Sequence, residues 1–222
     1  GTINIITREG RRGMPSELKL GSSWQGGYAS PNASLVQYHD AEKWTANYTL
    51  SVNRYAAPDH SENDVYRTGS SGVTQRHRVS DSHYERTGMH ATARLQLKGD
   101  PGETFTLMPF LALSQGTTPG SIQTTQTSPL AQTTGSTQAS TNNENHFMVA
   151  RINGQWKRKL STDSNMEWKF NVGGWNSHNE YNQTATNYNL LPYVQENSHV
   201  QDRSANTSGK YTNVMGGGHQ WV

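Results

Sequence analysis

The sequence predicts an all-β protein: part of an antiparallel transmembrane β-barrel, about eight to nine strands of a larger one. Three observations predict it. Apolar and polar residues alternate with period two over runs of ten residues or more. The connections between these runs alternate between short and long. Bulky aromatics on the apolar faces sit beside the short connections. Alternation of this length marks a strand with one apolar and one polar face. Tilted strands of about 9–11 residues cross a bilayer.

Taken in order, two weaker strands fit residues 17–25 and 32–39. Residues 44–53 place Trp44, Ala46, Tyr48, Leu50 and Val52 on one face and Thr45, Asn47, Thr49, Ser51 and Asn53 on the other. Residues 88–98 repeat this with Met89, Ala91, Ala93, Leu95 and Leu97. Residues 103–114 give Phe105, Leu107, Pro109, Leu111 and Leu113, where Pro109 has no N–H for the ladder and implies a bulge or a local gap. Residues 147–157 give Met148, Ala150, Ile152, Gly154 and Trp156; residues 165–175 give Met166, Trp168, Phe170 and Val172. A last strand fits about 204–215, and the closing His-Gln-Trp-Val begins a ninth. The short connections are 40–43, 99–102 and 160–164, rich in Asp, Gly, Pro and Ser; 25–31 is moderately short. The long ones, 55–83, 115–145 and 178–203, are expected as outer loops.

The bulk composition agrees. The chain has 222 residues, of which only 31% are hydrophobic, so either much of it is disordered or each strand buries only one face against something apolar. A net charge of +2 gives no nucleic-acid footprint, and the absence of Cys excludes disulfides and thiolate metal sites. Trp44, Phe105, Trp156 and Trp168 lie at the turn end of their strands, and Trp24 at the opposite end, as two membrane-interface girdles require. The alternative is a soluble sandwich whose apolar faces meet a second sheet.

The opening Gly1-Thr-Ile3-Asn4-Ile5-Ile6-Thr7-Arg8 resembles the last plug strand of TonB-dependent outer-membrane receptors, with Glu9–Pro15 as the basic linker into the barrel. The resemblance implies residues 1–15 as the end of a plug domain and 16–222 as the first part of a plugged barrel. It implies import of a scarce ligand, most often a ferric siderophore or another metal chelate. The implied partners are a TonB-type periplasmic energy-coupling protein, reached through the plug, and outer-membrane lipid. The implied location is the outer membrane of a Gram-negative bacterium. It implies no cofactor and no enzyme activity. The rivals are a passive porin and a soluble adhesin or carbohydrate-binding module.

Strand direction places Tyr55, Arg86, Phe110 and Trp175 on the polar phase in the outer half of the wall, as candidate ligand residues. Arg94, Lys98, Arg151, Lys157 and Lys169 share that phase nearer the turns, where a plug would meet them. Arg67, Arg76, His77, Arg78 and Arg86 form a basic cluster around the second outer connection, suited to an anion. His60, His77, His83, His178 and His199 lack ligand spacing and are expected as solvated loop histidines. No nucleophile elbow, His-Glu-x-x-His or phosphate loop occurs.

Overall fold

The structure, a computed structural model, describes residues 2–6, 16–70, 72–127, 134–185, 193–215 and 219–221. They form ten strands: β1 (Thr2–Ile6), β2 (Ser16–Gln25), β3 (Tyr28–Asp40), β4 (Trp44–Gly69), β5 (Gly72–Lys98), β6 (Glu103–Thr127), β7 (Thr134–Lys159), β8 (Ser164–Ala185), β9 (Tyr193–Met215) and β10 (His219–Trp221). All ten belong to one sheet in chain order, and each consecutive pair is antiparallel. The sheet is open, with β1 at one edge and β10 at the other. The sandwich reading needs a second sheet behind the apolar faces, and the described residues form only this one.

Residues paired across an antiparallel ladder project to the same face. The register therefore tests the phase of every strand. Leu35, Leu50, Ala91, Leu111 and Ala150 form one cross-strand row, and Ala33, Val52, Met89, Leu113 and Met148 form the next. The apolar residues of β2 to β8 thus lie on a single face. That face carries an apolar band five rows deep, from Trp44 to Val52 on β4. At ~3.3 Å per residue the band is about 26 Å high along the strand, close to the hydrocarbon core of an outer-membrane barrel. Leu50, Val52, Leu97, Met148, Ile152, Trp168 and Val172 are exposed on it. A soluble protein of this size hides such side chains.

The turn-side girdle is one row: Trp44, Leu97, Phe105, Trp156 and Trp168 are opposed strand by strand. Their polar tips are satisfied locally. Trp156 Nε1 donates to Glu103 Oε1 (2.8 Å), and Trp168 Nε1 to Thr207 Oγ1 (2.6 Å). Trp24 shares the phase of Leu18 and Leu20 and stands exposed beyond the opposite margin.

Four connections differ from the sequence expectation. The 25–31 segment is a two-residue turn: Gln25 pairs with Tyr28, and Gly26 and Gly27 both take positive φ (55° and 88°), the geometry of a type I′ hairpin. The expected loops 55–83, 115–145 and 178–203 are mostly ladder. β4 and β5 stay paired to Gly69 and Gly72, β6 and β7 to Thr127 and Thr134, and β8 and β9 to Thr184 and Tyr193. Beyond the band both faces are polar, so the alternation that marks a strand disappears while the backbone pairing continues.

Pro109 leaves a gap rather than a bulge. The β5–β6 ladder passes from Thr92–Phe110 to Leu95–Leu107 without a change of register. A second gap follows at Pro119, between Ser82–Gly120 and Glu85–Thr117. Proline has no N–H to donate, and the two residues are ten apart, so both face β5.

Inside the band, Gly154 is buried under the ring of Phe170, its register partner on β8; a Cβ there overlaps the ring. Aromatic cover of this kind replaces the packing that a glycine cannot supply. Gly154→Ala is expected to destabilise the folded wall by about 1–3 kcal/mol, the usual cost of overpacking. Denaturant titration in lipid vesicles checks this. In a Phe170→Ala background the same change is expected to be tolerated.

Candidate functional site

The polar face is the chemically varied one. Asn47, Arg94, Met108, Asn153, Asn171 and Asn206 form one row, with Asn171 Nδ2 donating to Asn153 Oδ1. Nearer the turns, Glu167 sits between two lysines, with Lys169 Nζ at 3.1 Å and Lys157 Nζ at 3.9 Å, and Gln155 donates to the same carboxylate. This carboxylate is the partner that the sequence reading missed, and it occupies two of the five cations assigned to a plug. Arg151 is occupied as well, since its guanidinium lies 4.7 Å from the centre of the Phe110 ring. Arg94 and Lys98 share the polar phase with the other three, through Asn47–Arg94 and the Lys98–Thr104–Lys157 row.

All four candidate ligand residues fall on this face. Tyr55 and Arg86 are direct register partners on β4 and β5. Around them lies an open cavity of about 530 Å³, lined among others by Tyr55, Tyr84, Arg86, His90, Ser114 and Phe147. Arg86 Nη2 donates to Ser114 Oγ (3.0 Å), and the Tyr55 hydroxyl donates to Gln25 Oε1 (3.2 Å). The Tyr55 and Tyr84 rings are 5.8 Å apart. Trp175 does not line the cavity. It stands behind Phe147 with ring centres 6.3 Å apart. Phe110 lies lower on the face, against Arg151. Tyr55 and Arg86 thus come together, Trp175 supports their wall, and Phe110 belongs to a different contact. Tyr84 lies just outside the expected strand 88–98, while Ser114 and Phe147 fall within expected strands and are brought to the cavity only by the register of β5, β6 and β7.

Higher on the same hairpin, the charges are sorted by face. Arg67, Arg76, Arg78 and Arg86 share the polar-phase register. Among the described residues none of these four is in an ion pair. Asp59 is the acidic residue of that phase on this hairpin. The other carboxylates occupy the opposite face with the histidines. His77 Nδ1 lies 2.9 Å from Asp64, His60 Nδ1 2.6 Å from Asp81, and His83 Nε2 2.8 Å from Glu85, which also holds Arg54 at 2.9 Å. His77 is therefore not part of the arginine cluster. His60, His77, His83, His178 and His199 all belong to strands rather than loops. Among the described residues no group of three or more His, Asp or Glu is placed to hold a metal ion.

These exposed pairs make the outer hairpin pH-sensitive. The hydrogen bond to Asp81, then that to Glu62, raises the His60 pKa above its ordinary value near 6.5. Its contribution is complete below that value and is lost as pH rises through the raised pKa. Hydrogen bonds from His83 and then Arg54 lower the Glu85 pKa below 4.5, so its contribution is present above that value and is lost as pH falls through the lowered pKa. Amide exchange in β4 and β5 beyond Ala57, corrected for intrinsic rates, is therefore expected to be slowest between about pH 4.5 and 6.5. His60→Gln is expected to abolish the alkaline limb of that dependence and Glu85→Gln the acid limb.

No protein-family model matches the chain, and no curated protein matches it. Among solved structures, the chain is similar to the ferric yersiniabactin uptake receptor FyuA from Yersinia pestis. The sequence identity is 9% and the TM-score 0.31, over 97% of this chain and 42% of that one. The chain thus spans well under half the length of that receptor.

Proposed function

We propose that the chain forms part of the wall of an outer-membrane receptor that takes up a small anionic ligand, most simply a ferric siderophore or a similar metal chelate. One observation carries the reading: a single sheet with a five-row apolar band on one face, a tryptophan-rich row at its turn-side margin and a polar opposite face. A lipid bilayer is the environment that such a face fits. On this reading residues 16–222 are barrel, and residues 1–15 are the end of a plug domain that a TonB-type periplasmic protein acts upon, with β1 pairing along β2 at the edge of the wall. Arg94 and Lys98 face that plug. The chemistry is recognition and gated passage, without bond making.

The ligand class follows from charge. The inner face of the β4–β5 hairpin offers a column of arginines that ends at the Tyr55–Arg86 cavity, while every carboxylate of the hairpin except Asp59 is turned outward. Such a column draws in and orients an anion.

The test is uptake by cells expressing the full-length protein. The protein is expected in the outer-membrane fraction, as a band whose mobility on electrophoresis changes on heating. Accumulation of ferric chelate is expected to stop when the proton gradient is collapsed. Accumulation that persists without the gradient indicates a passive porin. Recovery of the protein in the soluble fraction overturns the membrane reading.

A further inference from the structure

The band has an anomalous corner. Directly beyond its outer margin, on the apolar face, His146, His178 and His199 are opposed across β7, β8 and β9. Their rings follow one another at 6.4 and 6.2 Å between centres. That spacing is too wide for all three to chelate one ion, and it leaves each imidazole edge free to reach outward. The three histidines line one rim of a cavity of about 670 Å³ whose floor is apolar, with Val52, Met89, Leu113 and Met148. Arg203 follows on β9. It is exposed in the row of Leu50, Ala91 and Ala150, inside the band. Its guanidinium approaches the side-chain amide of Gln201, the next residue outward on that face.

An arginine on the lipid face of a barrel strand is costly in mid-bilayer. It is tolerable where an anion meets it or where it reaches the interface. A row of histidines one step outward, above an apolar floor, has the same amphipathic order as a membrane lipid: charged head, then hydrocarbon. We infer that this face binds a phosphate-bearing lipid of the outer leaflet, with its phosphate against the His146–His178–His199 row and Arg203 and an acyl chain along Met89, Leu113 and Met148. The inference rests on the membrane reading above. The occupant is a lipid rather than free phosphate, because half of the cavity is hydrocarbon-lined.

Imidazole and guanidinium both donate N–H to phosphate oxygens. The charged neighbours are Arg54 on β4, Glu85 on β5, Glu144 on β7, Glu180 on β8 and Arg203 on β9. Arg54 and Glu85 already hold each other. Glu144 and Glu180 lie one row outward and accept from Asn142 and Asn182.

The experiment uses the full-length protein in vesicles of phosphatidylcholine with or without phosphatidic acid, extracted gently and read by native mass spectrometry. The wild type is expected to retain phosphatidic acid in about tenfold preference to phosphatidylcholine. His146→Gln, His178→Gln and His199→Gln together are expected to remove most of that preference, and Arg203→Gln the remainder. Heat-modifiable mobility identical to wild type confirms that the variants fold. A folded triple variant with the wild-type preference overturns the inference, as does displacement of the lipid by inorganic phosphate alone. Failure of any form to insert into vesicles counts against the membrane reading instead.

Discussion

Ile152→Arg is expected to destabilise the wall by about 2–4 kcal/mol, the cost of an arginine at the midplane of a barrel's lipid face. Ile152 lies in the central row of the band with Pro109 and Val172, and it is exposed. No partner charge stands in that row, which runs Tyr48, Ala93, Pro109, Ile152, Val172 and Ala205. The neighbouring Asn153 belongs to the polar face, so Asn153→Arg is expected to cost far less. The pair differs by one position along β7 and by the whole thickness of the sheet. Urea titration of the full-length protein refolding into vesicles reads both. Equal losses at the two positions would sink the assignment of faces.

Arg86→Ala is expected to weaken binding of an anionic chelate by about 10–100-fold, the equivalent of roughly 1.5–3 kcal/mol for charge-assisted hydrogen bonds. Among the described residues Arg86 donates to the neutral Ser114 hydroxyl and stands in no ion pair, which leaves donors for a ligand in the Tyr55–Tyr84 cavity. Trp175→Ala is expected to weaken binding less, through Phe147, and Phe110→Ala to leave it unchanged. Ligand titration on whole cells, normalised to surface-exposed protein, separates these outcomes. Unchanged affinity in Arg86→Ala removes the cavity from the site. A loss in Phe110→Ala that matches Arg86→Ala means that the ligand sits lower, beside Arg151.

The apolar band was legible because its residues alternate strictly with polar ones. Trp44 to Val52, Met89 to Leu97 and Met148 to Trp156 all carry their phase in plain sequence, and the register repeats it. β9 was the weak case, and the reason is physical. Gln201, Arg203, Thr207 and Gly209 occupy the phase that continues the band, so neither of its faces is apolar. The outer hairpins were hidden for a related reason: Thr117 to Thr127 and Gln138 to Glu144 pair across a long ladder with polar side chains on both sides. The Gly26-Gly27 turn was signalled by its own dipeptide but was read as part of a longer connection. Of the candidate site, Tyr55 and Arg86 were legible because their phase continues from the band. Tyr84 and Phe147 were not, since pairing across strands decides which aromatics meet. The separation of His77 from its flanking arginines follows from the same alternation, once residue 77 is known to lie in a strand.

The two proline gaps have a mechanical consequence. Both lie on the β5–β6 seam, at Pro109 within the band and at Pro119 above it, and no other ladder in the wall is interrupted twice in this way among the described residues. A ladder loses shear strength where its rungs are missing, and missing rungs at two heights weaken it along its length. The β5–β6 seam is therefore most compliant at these two heights, while the rungs on either side of each gap keep its register.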